Sequence, residues 1–184
     1  MESEDEFRSA FFDFWLDEMG KTRSECERHQ FLLGLNIYNL NKNIVEATTQ
    51  VAKFHNLTLA EYRTMLFLRP SYPNAKLTPG TLMSLTQTTS GGMAKILREL
   101  EARNLITRHP NPDDARSNMV SLTDHGRKVF DESFSRAWQS NIEMFASALD
   151  QDEINQLFNL LTKVLDNNKN RPAQKPLTNG HPTP

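Results

Sequence analysis

The sequence predicts an all-α protein that carries one small β-hairpin. Three observations support this fold class. Apolar residues recur at helical spacing through most of the chain, hydroxyl and carboxylate residues stand where several of these segments begin, and two short strand-like runs flank one turn-rich segment. The chain of 184 residues is also long enough to bury a core without disulfides or metal ions.

Two helices are expected before residue 57. A first apolar stripe covers residues 4–19, and Gly20 is the expected end of that helix. A longer apolar segment covers residues 28–55, which contain no proline and one glycine, Gly34, so we predict a single helix there. The first stripe consists of Phe7, Phe11, Phe14 and Trp15.

Capping residues mark two shorter helices in the next segment. Thr58 and Glu61 form a capping box, in which the hydroxyl and the carboxylate satisfy backbone amides at the helix start. This helix is predicted to end before a loop over residues 69–76, which contains two prolines. Thr78 is then the N-cap of a helix predicted over residues 79–86, whose first position is a proline.

A third helix and a hairpin follow. Thr89 caps a helix that is predicted to reach about Arg103. Residues 105–109 and 118–122 are strand-like, and the segment 110–114 between them is rich in turn residues, so the two runs are expected to pair. The face of the third helix that is predicted to meet the core consists of Met93, Ile96, Leu97 and Leu100.

Two helices are predicted after the hairpin. Thr123 and Asp124 begin a long helix that reaches about Ala148, and Asp150 caps the last helix. Residues 169–184 are rich in proline and asparagine, and we expect them to be disordered. The apolar stripe of the last helix is predicted to be buried and consists of Ile154, Leu157, Phe158, Leu161, Val164 and Leu165.

The order of these elements indicates a DNA-binding fold. A short helix followed closely by an amphipathic helix is a helix-turn-helix arrangement, and a hairpin directly after it is the wing of a winged helix. In such a fold the second helix of the pair enters the major groove of double-stranded DNA with its N-terminal residues first. A winged helix that serves only as a protein-interaction module remains the alternative.

Three segments resemble the MarR family of bacterial transcriptional regulators, and the resemblance covers about residues 57–130. The segments are the helix end Leu97–Ile106, the wing Asp114–Ser117 and the run Leu122–Gly126 that begins the following helix. The resemblance implies a winged helix-turn-helix domain flanked by N- and C-terminal dimerisation helices, in a cytoplasmic bacterial homodimer that reads a pseudo-palindromic operator. It also implies a repressor that a small aromatic or phenolic ligand releases.

The resemblance, together with the apolar pattern and the composition of the flanking segments, suggests four parts of the chain. Residues 1–56 are expected to dimerise, residues 57–123 to bind DNA, residues 124–168 to dimerise, and residues 169–184 to form the tail. Two positions depart from the family pattern. Asn104 replaces a common glycine and tolerates the left-handed backbone of a helix end. Ala115 replaces the first wing arginine, which removes one positive group from the wing.

The first turn of the third helix is the main candidate for DNA contact. Its small residues allow backbone amides to approach phosphates, and a helix N-terminus favours anions. Lys95 and Arg98 lie further along the same helix and are the candidates for charged contacts with phosphate and guanine. The alternative is an ordinary exposed helix end. The small residues are Thr89, Ser90, Gly91 and Gly92.

The hairpin supplies the remaining DNA-contact candidates. Arg116 at its tip is suited to a narrow minor groove, where negative potential is concentrated. Asp114 is expected to orient that guanidinium, as the family resemblance implies. Arg108 at the base of the hairpin contacts either a phosphate or solvent. The alternative for the tip is a solvated ion pair worth under about 1 kcal/mol.

An effector site and a redox site are less clearly marked. The resemblance implies a crevice for a small aromatic anion, which arginines would pair with and aromatic rings would pack against, although an ordinary core or surface role is the better explanation of any one candidate. Cys26 is the only cysteine and a candidate redox sensor, yet its neighbours Glu25 and Glu27 disfavour a thiolate. The effector candidates are Tyr38, Arg63, Arg69 and Trp138.

Charge and composition exclude several other classes. The net charge of −2 divides into −5 for residues 1–30, +3 for 31–77, +2 for 78–130 and −2 for 131–184. The positive charge therefore lies where DNA contact is predicted, although the segments differ by only a few charges. One cysteine excludes an intrachain disulfide framework. We find no catalytic motif, no metal-ligand spacing, no cofactor loop and no membrane-length apolar run, and therefore predict neither an enzyme nor a membrane protein.

Overall fold

The computed structural model describes residues 14, 17, 18, 20–70, 76–112 and 117–169. The predicted helix over residues 4–19 therefore lies largely outside the described residues, as does nearly all of the 169–184 tail. Residues 20–22 are helical, so Gly20 does not end that helix as predicted. The reason is that Gly20 does not adopt the left-handed backbone of a helix-ending glycine.

The first complete helix, α1, is longer than predicted. It spans Glu25–Phe54 rather than starting at residue 28, and it passes through Gly34 without interruption. The earlier start comes from a capping box that the sequence analysis missed. The Ser24 hydroxyl accepts the Glu27 amide at 3.3 Å, and the Glu27 carboxylate accepts the Ser24 amide at 3.0 Å. The Ser24 hydroxyl also donates to this carboxylate at 2.8 Å, and the bonds from the Ser24 amide and hydroxyl hold the pKa of the Glu27 carboxyl below its usual value.

The next three helices begin at the predicted caps. They are α2 (Leu59–Leu68), α3 (Pro79–Thr86) and α4 (Ser90–Ala102). The hydroxyls of Thr58, Thr78 and Thr89 accept the N3 backbone amides of these helices at 3.2, 3.1 and 3.3 Å respectively. A left-handed residue after α3, Gln87 with φ 53°, turns the chain into α4 and completes the predicted helix-turn-helix.

The predicted hairpin forms from β1 (Ile106–Pro110) and β2 (Asn118–Leu122). The strands pair antiparallel from Ile106 opposite Leu122 to Pro110 opposite Asn118. Pro110 thus ends a strand rather than opening the turn. Proline is tolerated there because the terminal position of a strand needs no backbone N–H for pairing. Leu77, which directly follows the predicted loop over residues 69–76, adds a bridge to Val120 with N–O distances of 3.0 and 2.8 Å.

The last two helices are α5 (Asp124–Ala146) and α6 (Gln151–Lys169). Asp150 caps α6 as predicted, since its carboxylate accepts the amides of Asp152 and Glu153 at 2.9 Å. The prediction that the apolar stripe of α6 is buried is wrong for the single chain. No residue of α6 is buried, and Phe158, for example, is 67% exposed. An amphipathic helix buries its stripe only where another apolar surface covers it.

The chain divides into two compact units, Met1–Trp138 and Gln139–Pro184. The core of the first unit joins α2, α3, α4, the hairpin and the start of α5, and Phe130 is among its fully buried side chains. Tyr62 packs on Phe130 with 5.5 Å between ring centroids, and burial raises the pKa of the Tyr62 phenol. The predicted core face of α4 is confirmed at Met93, Leu97 and Leu100, and Ile96 is half-buried.

Thr123 joins the start of α5 to the end of α4. Its hydroxyl donates to the carbonyl of Asn104 at 2.6 Å and accepts the amide of Gly126 at 2.9 Å. Its amide donates to the carbonyl of Leu105 at 3.1 Å. Asn104 adopts the left-handed conformation predicted for it, with φ 53°.

Among the described helices, none combines the length and the apolar character needed to cross a membrane.

Candidate nucleic-acid interface

The first turn of α4 is open to solvent, as the sequence predicts. Thr89, Ser90 and Gly91 are exposed, and Gly92 is partly exposed. Among the described residues, the Thr89 hydroxyl accepts the Gly92 amide, which leaves other amides of the first turn available to a ligand. The partial positive charge of the helix N-terminus adds to this suitability for an anion.

The two glycines of this turn differ in what surrounds them. A Cβ on Gly92 would lie 2.9 Å from Cγ2 of Thr88 and 3.2 Å from Oγ1 of Thr89, so the cap itself requires a glycine there. A Cβ on Gly91 would meet no atom within 4 Å. Nothing in the described part of the chain therefore explains the absence of a side chain at Gly91.

Lys95 and Arg98 share the outward side of α4. Both are exposed, whereas Met93, Leu97 and Leu100 on the same helix are buried. No ion pair with another described residue engages either cation. The structure thus brings these two charges and the open first turn onto one exposed face, as the sequence analysis predicts.

Arg108 lies at the base of the hairpin in an ion pair. Its Nε is 2.9 Å from Oε2 of Glu101, in the last turn of α4, and the two side chains are 31% and 43% exposed. The pair holds the guanidinium beside α4. Asp114 and Arg116, the two candidates at the hairpin tip, lie outside the described residues.

A polar hollow beside the hairpin was not predicted. It encloses about 590 Å³ between the start of α3 and the hairpin. Thr78 and its proline were recognised as a helix start, which is also the signal that could have found this surface, because a helix N-terminus attracts anions. The lining residues are Thr78, Pro79, Gly80, Arg108, Asn111, Ser117 and Asn118.

The four predicted effector residues lie on different elements. Tyr38 is 61% exposed on α1, and Arg63 is exposed on α2. Arg69, just after α2, donates to both oxygens of Asp131 at 2.6 and 3.3 Å. Trp138 is 59% exposed on α5, where its ring lies 5.9 Å from that of Phe134.

A cavity of about 660 Å³ lies between the end of α1 and α5, and sequence reasoning missed it. The guanidinium of Arg136 sits 4.3 Å above the Phe54 ring, and Nε2 of His55 is buried without a hydrogen-bond partner among the described residues. No local motif announces this site, because its residues come from segments about 75 positions apart in the chain. The lining residues are Phe54, His55, Asp131, Glu132, Ser135 and Arg136.

Cys26 is exposed near the start of α1. The side-chain amide of Gln30 lies 3.7 Å from its sulfur, and His29 lines the same shallow surface. Within the part of the chain that the structure describes, no group of three histidine, cysteine or carboxylate side chains is arranged to hold a metal ion.

Comparison with known proteins agrees with this geometry. The sequence model described as MarR family matches residues 55–117. The multiple antibiotic resistance protein MarR of Escherichia coli (strain K12) is 25% identical over 145 residues, which are 79% of this chain and 99% of that protein. The HTH-type transcriptional repressor NicR of Pseudomonas putida is 28% identical over 114 residues, which are 62% of this chain and 70% of NicR.

A solved structure of a DNA complex is also similar. It is a crystal structure of a mutant MarR from E. coli complexed with operator DNA, with a TM-score of 0.62 and 25% sequence identity. The match covers 77% of this chain and 99% of that one. The similarity therefore extends well beyond residues 55–117, which the family model matches, and covers nearly the full length of that protein.

Proposed function

The chain belongs to the MarR family, and we propose that it is a homodimeric repressor that leaves its operator when a small aromatic or phenolic anion binds. As a member of this family it is a DNA-binding transcriptional regulator and not an enzyme. The operator is proposed to be a pseudo-palindrome, because a two-fold dimer presents two identical recognition helices. We place this regulator in the cytoplasm, where its DNA is.

The exposed face of α4 is the observation that carries the proposal. Its first turn offers amides and small residues, and Lys95 and Arg98 add two exposed charges on the same helix. We assign base and phosphate contacts to Arg98 and phosphate contact to Lys95. The hollow beside Arg108 is proposed to extend this interface to the DNA backbone. Arg116, oriented by Asp114, remains our sequence-based candidate for the neighbouring minor groove.

Exposed apolar residues support the homodimer. On α1, Phe31 and Leu33 are 51% and 54% exposed, and on α6 Phe158 and Leu165 are 67% and 62% exposed. Large apolar surfaces of this kind mark protein contacts, and a second copy of the chain is the simplest cover. We therefore propose that residues 1–56 and 124–168 dimerise and that residues 57–123 bind DNA.

The effector is proposed to act by favouring one arrangement of the dimer. A ligand shifts this equilibrium only if it binds the DNA-free arrangement more tightly. Tyr38, Arg63, Arg69 and Trp138 remain our sequence-based candidates for its contacts. The cavity beside Arg136 and Phe54 is a further candidate, since it combines a cation with an aromatic ring.

A DNA titration tests the proposal. The full chain is titrated against the promoter region beside its own gene, and against unrelated DNA, at two salt concentrations. We expect tight binding to the promoter that weakens steeply with salt, by a log–log slope of about −0.9 for each phosphate contacted. Weak binding, equal on both DNAs, favours the alternative of a winged helix used for protein contacts.

Cys26 supports a second mode of release. The thiol is exposed and has an amide donor 3.7 Å away, so an oxidant can reach it. If this mode operates, peroxide treatment lowers operator affinity of the wild type, a reductant restores it, and Cys26→Ser abolishes the response.

A further inference from the structure

One arginine fastens the C-terminal end of α4 to the turn between α1 and α2. Arg103 donates from Nη2 to Oε1 of Glu61 at 2.6 Å and from Nη1 to the backbone carbonyl of Asn56. Its Nε lies 3.3 Å from the carbonyl of Glu99 in its own helix. The guanidinium therefore joins three elements: the end of α1, the first turn of α2 and the last turn of α4.

The carbonyl that Arg103 holds belongs to a fixed turn. Asn56 follows the last residues of α1 with a left-handed backbone, φ 57°, and its amide donates to Lys53 at 2.9 Å. The next amide, of Leu57, donates back to Ala52 at 2.8 Å. Because these bonds tie Asn56 to the last turn of α1, the hydrogen bond from Arg103 to the Asn56 carbonyl links α4 to the end of that helix.

The carboxylate that Arg103 contacts is buried and accepts hydrogen bonds at both of its oxygens. Glu61 is 7% exposed. One of its oxygens accepts the amide and hydroxyl of Thr58 at 2.7 and 2.9 Å, and the other accepts Arg103. A buried carboxylate that loses its cationic partner is costly, so the contact resists opening. We call the contacts of Arg103 with Glu61 and Asn56 the Arg103 clamp.

We propose that Arg103 is a positioning residue for DNA recognition, which fixes the direction of α4 relative to α1 and so the separation of the two recognition helices in the dimer. This inference rests on the proposed function. Arg103 sits at the end of α4 opposite to the first turn that meets DNA. For a helix of 13 residues, a tilt of about 10° at one end moves the other end by about 3 Å, which is close to one base-pair step.

Operator spacing is the measurement that isolates this role. The full-length wild type first selects its preferred duplex from a random library. Affinity is then measured for that duplex, for versions with one base pair inserted or removed between the half-sites, and for unrelated DNA. One inserted base pair rotates a half-site by about 35°, so we expect wild-type affinity to fall at least about tenfold.

Arg103→Lys is the informative variant. Lysine keeps the positive charge but lacks the planar fork of donors that contacts Glu61 and the Asn56 carbonyl together. We expect its preference for the selected spacing to shrink to about twofold, with affinity for unrelated DNA unchanged. Lys53→Met is the matched control, because it removes an exposed charge at the end of α1 without touching the clamp, and it should keep the wild-type preference. Glu61→Gln, which keeps an acceptor but not the charge, should give an intermediate preference.

Three results would overturn the inference. If Arg103→Lys keeps the wild-type spacing preference, Arg103 does not position α4 for DNA. Its role is then confined to the stability of the fold, whether the melting temperature of the variant falls by much or by little. If Arg103→Met loses affinity equally for all DNAs and Arg103→Lys restores it, the residue contacts a phosphate instead. If the wild type selects no duplex with two related half-sites, the proposed function itself fails, and the inference with it.

Discussion

Gly126 lies against the backbone carbonyl of Leu105, so closely that a Cβ on Gly126 would come within 1.8 Å of the carbonyl oxygen. No real Cβ approaches a backbone atom so closely, and this glycine is therefore required for space rather than for an unusual φ. The close approach seats the first turn of α5 on the junction between α4 and the hairpin. The bonds of Thr123 to Asn104 and Leu105 hold it there.

Gly126→Ala is therefore expected to be severely destabilising. The methyl group has to push α5 away from the hairpin, which costs about 3 kcal/mol or more of the free energy of unfolding, at the upper end of overpacking effects. Urea unfolding measures this change. Gly34→Ala in α1 is the matched control, since a Cβ there meets no atom of the described residues within 4 Å, and it should stabilise the protein by up to about 1 kcal/mol. Equal effects of the two substitutions would contradict the packing argument.

Gly91→Ala separates stability from DNA binding. A methyl group at this position meets open space in the described chain, so we expect the free energy of unfolding to rise by up to about 1 kcal/mol. If DNA approaches the first turn of α4 closely, the same change weakens operator binding by about tenfold. Both quantities are measured on one sample, by urea unfolding and by fluorescence anisotropy with labelled DNA.

Gly92→Ala provides the contrast to Gly91→Ala. Its Cβ would lie 2.9 Å from the Thr88 side chain, so this variant should lose stability as well as affinity. If Gly91→Ala binds DNA as well as the wild type, the first turn does not approach the DNA closely. The DNA contacts of α4 are then confined to Lys95 and Arg98.

Local signals predicted this fold better than distant ones. The caps at Thr58, Thr78, Thr89 and Asp150 were predicted correctly because each involves residues within three positions of one another. Gly20 misled the prediction because the chain context, not the residue type, decides whether a glycine ends a helix.

Contacts between distant segments could not be predicted in this way. The bridge of Leu77 to Val120 and the pair of Arg69 with Asp131 each join residues more than 40 positions apart, and no periodicity encodes such a pairing. The same holds for the cavity beside Arg136, whereas the exposed residues of α4 followed from helical periodicity alone. The stripe of α6 was predicted correctly as apolar but wrongly as buried within one chain.

The charges on α4 should contribute differently to affinity and specificity. Lys95→Gln is expected to weaken binding to all DNA sequences and to reduce the salt slope by about 1. Arg98→Gln should cost about 1–3 kcal/mol on the operator and relax the choice of base at one position. Titrations on operator variants at two salt concentrations measure both effects. Lys163→Gln, an exposed lysine on α6, is the control and should leave both unchanged.

Dimerisation is tested on the exposed stripe of α6. Phe158 and Leu165 are 67% and 62% exposed in the single chain, so replacing both with glutamate should cost the monomer fold little. If a second copy covers them, the charges are buried in the interface and the dimer dissociates. Analytical ultracentrifugation distinguishes monomer from dimer. Asn159→Glu adds a charge at an exposed polar position of the same helix and should remain dimeric.

The two wing arginines should differ, because the ion pair with Glu101 already engages Arg108. Arg116→Ala is expected to weaken operator binding by about 1–3 kcal/mol if it enters a groove. Arg108→Ala should weaken operator binding by less. Glu101→Gln has two effects: it releases the Arg108 guanidinium from a half-exposed ion pair worth under about 1 kcal/mol, and it removes a negative charge near the DNA. We therefore expect Glu101→Gln to strengthen binding to operator and unrelated DNA alike, and to steepen the salt dependence. Anisotropy titrations of the three variants at two salt concentrations test this order. Unchanged binding by Arg116→Ala would remove the hairpin tip from the interface, and weaker binding by Glu101→Gln would mean that the ion pair itself positions Arg108 for contact.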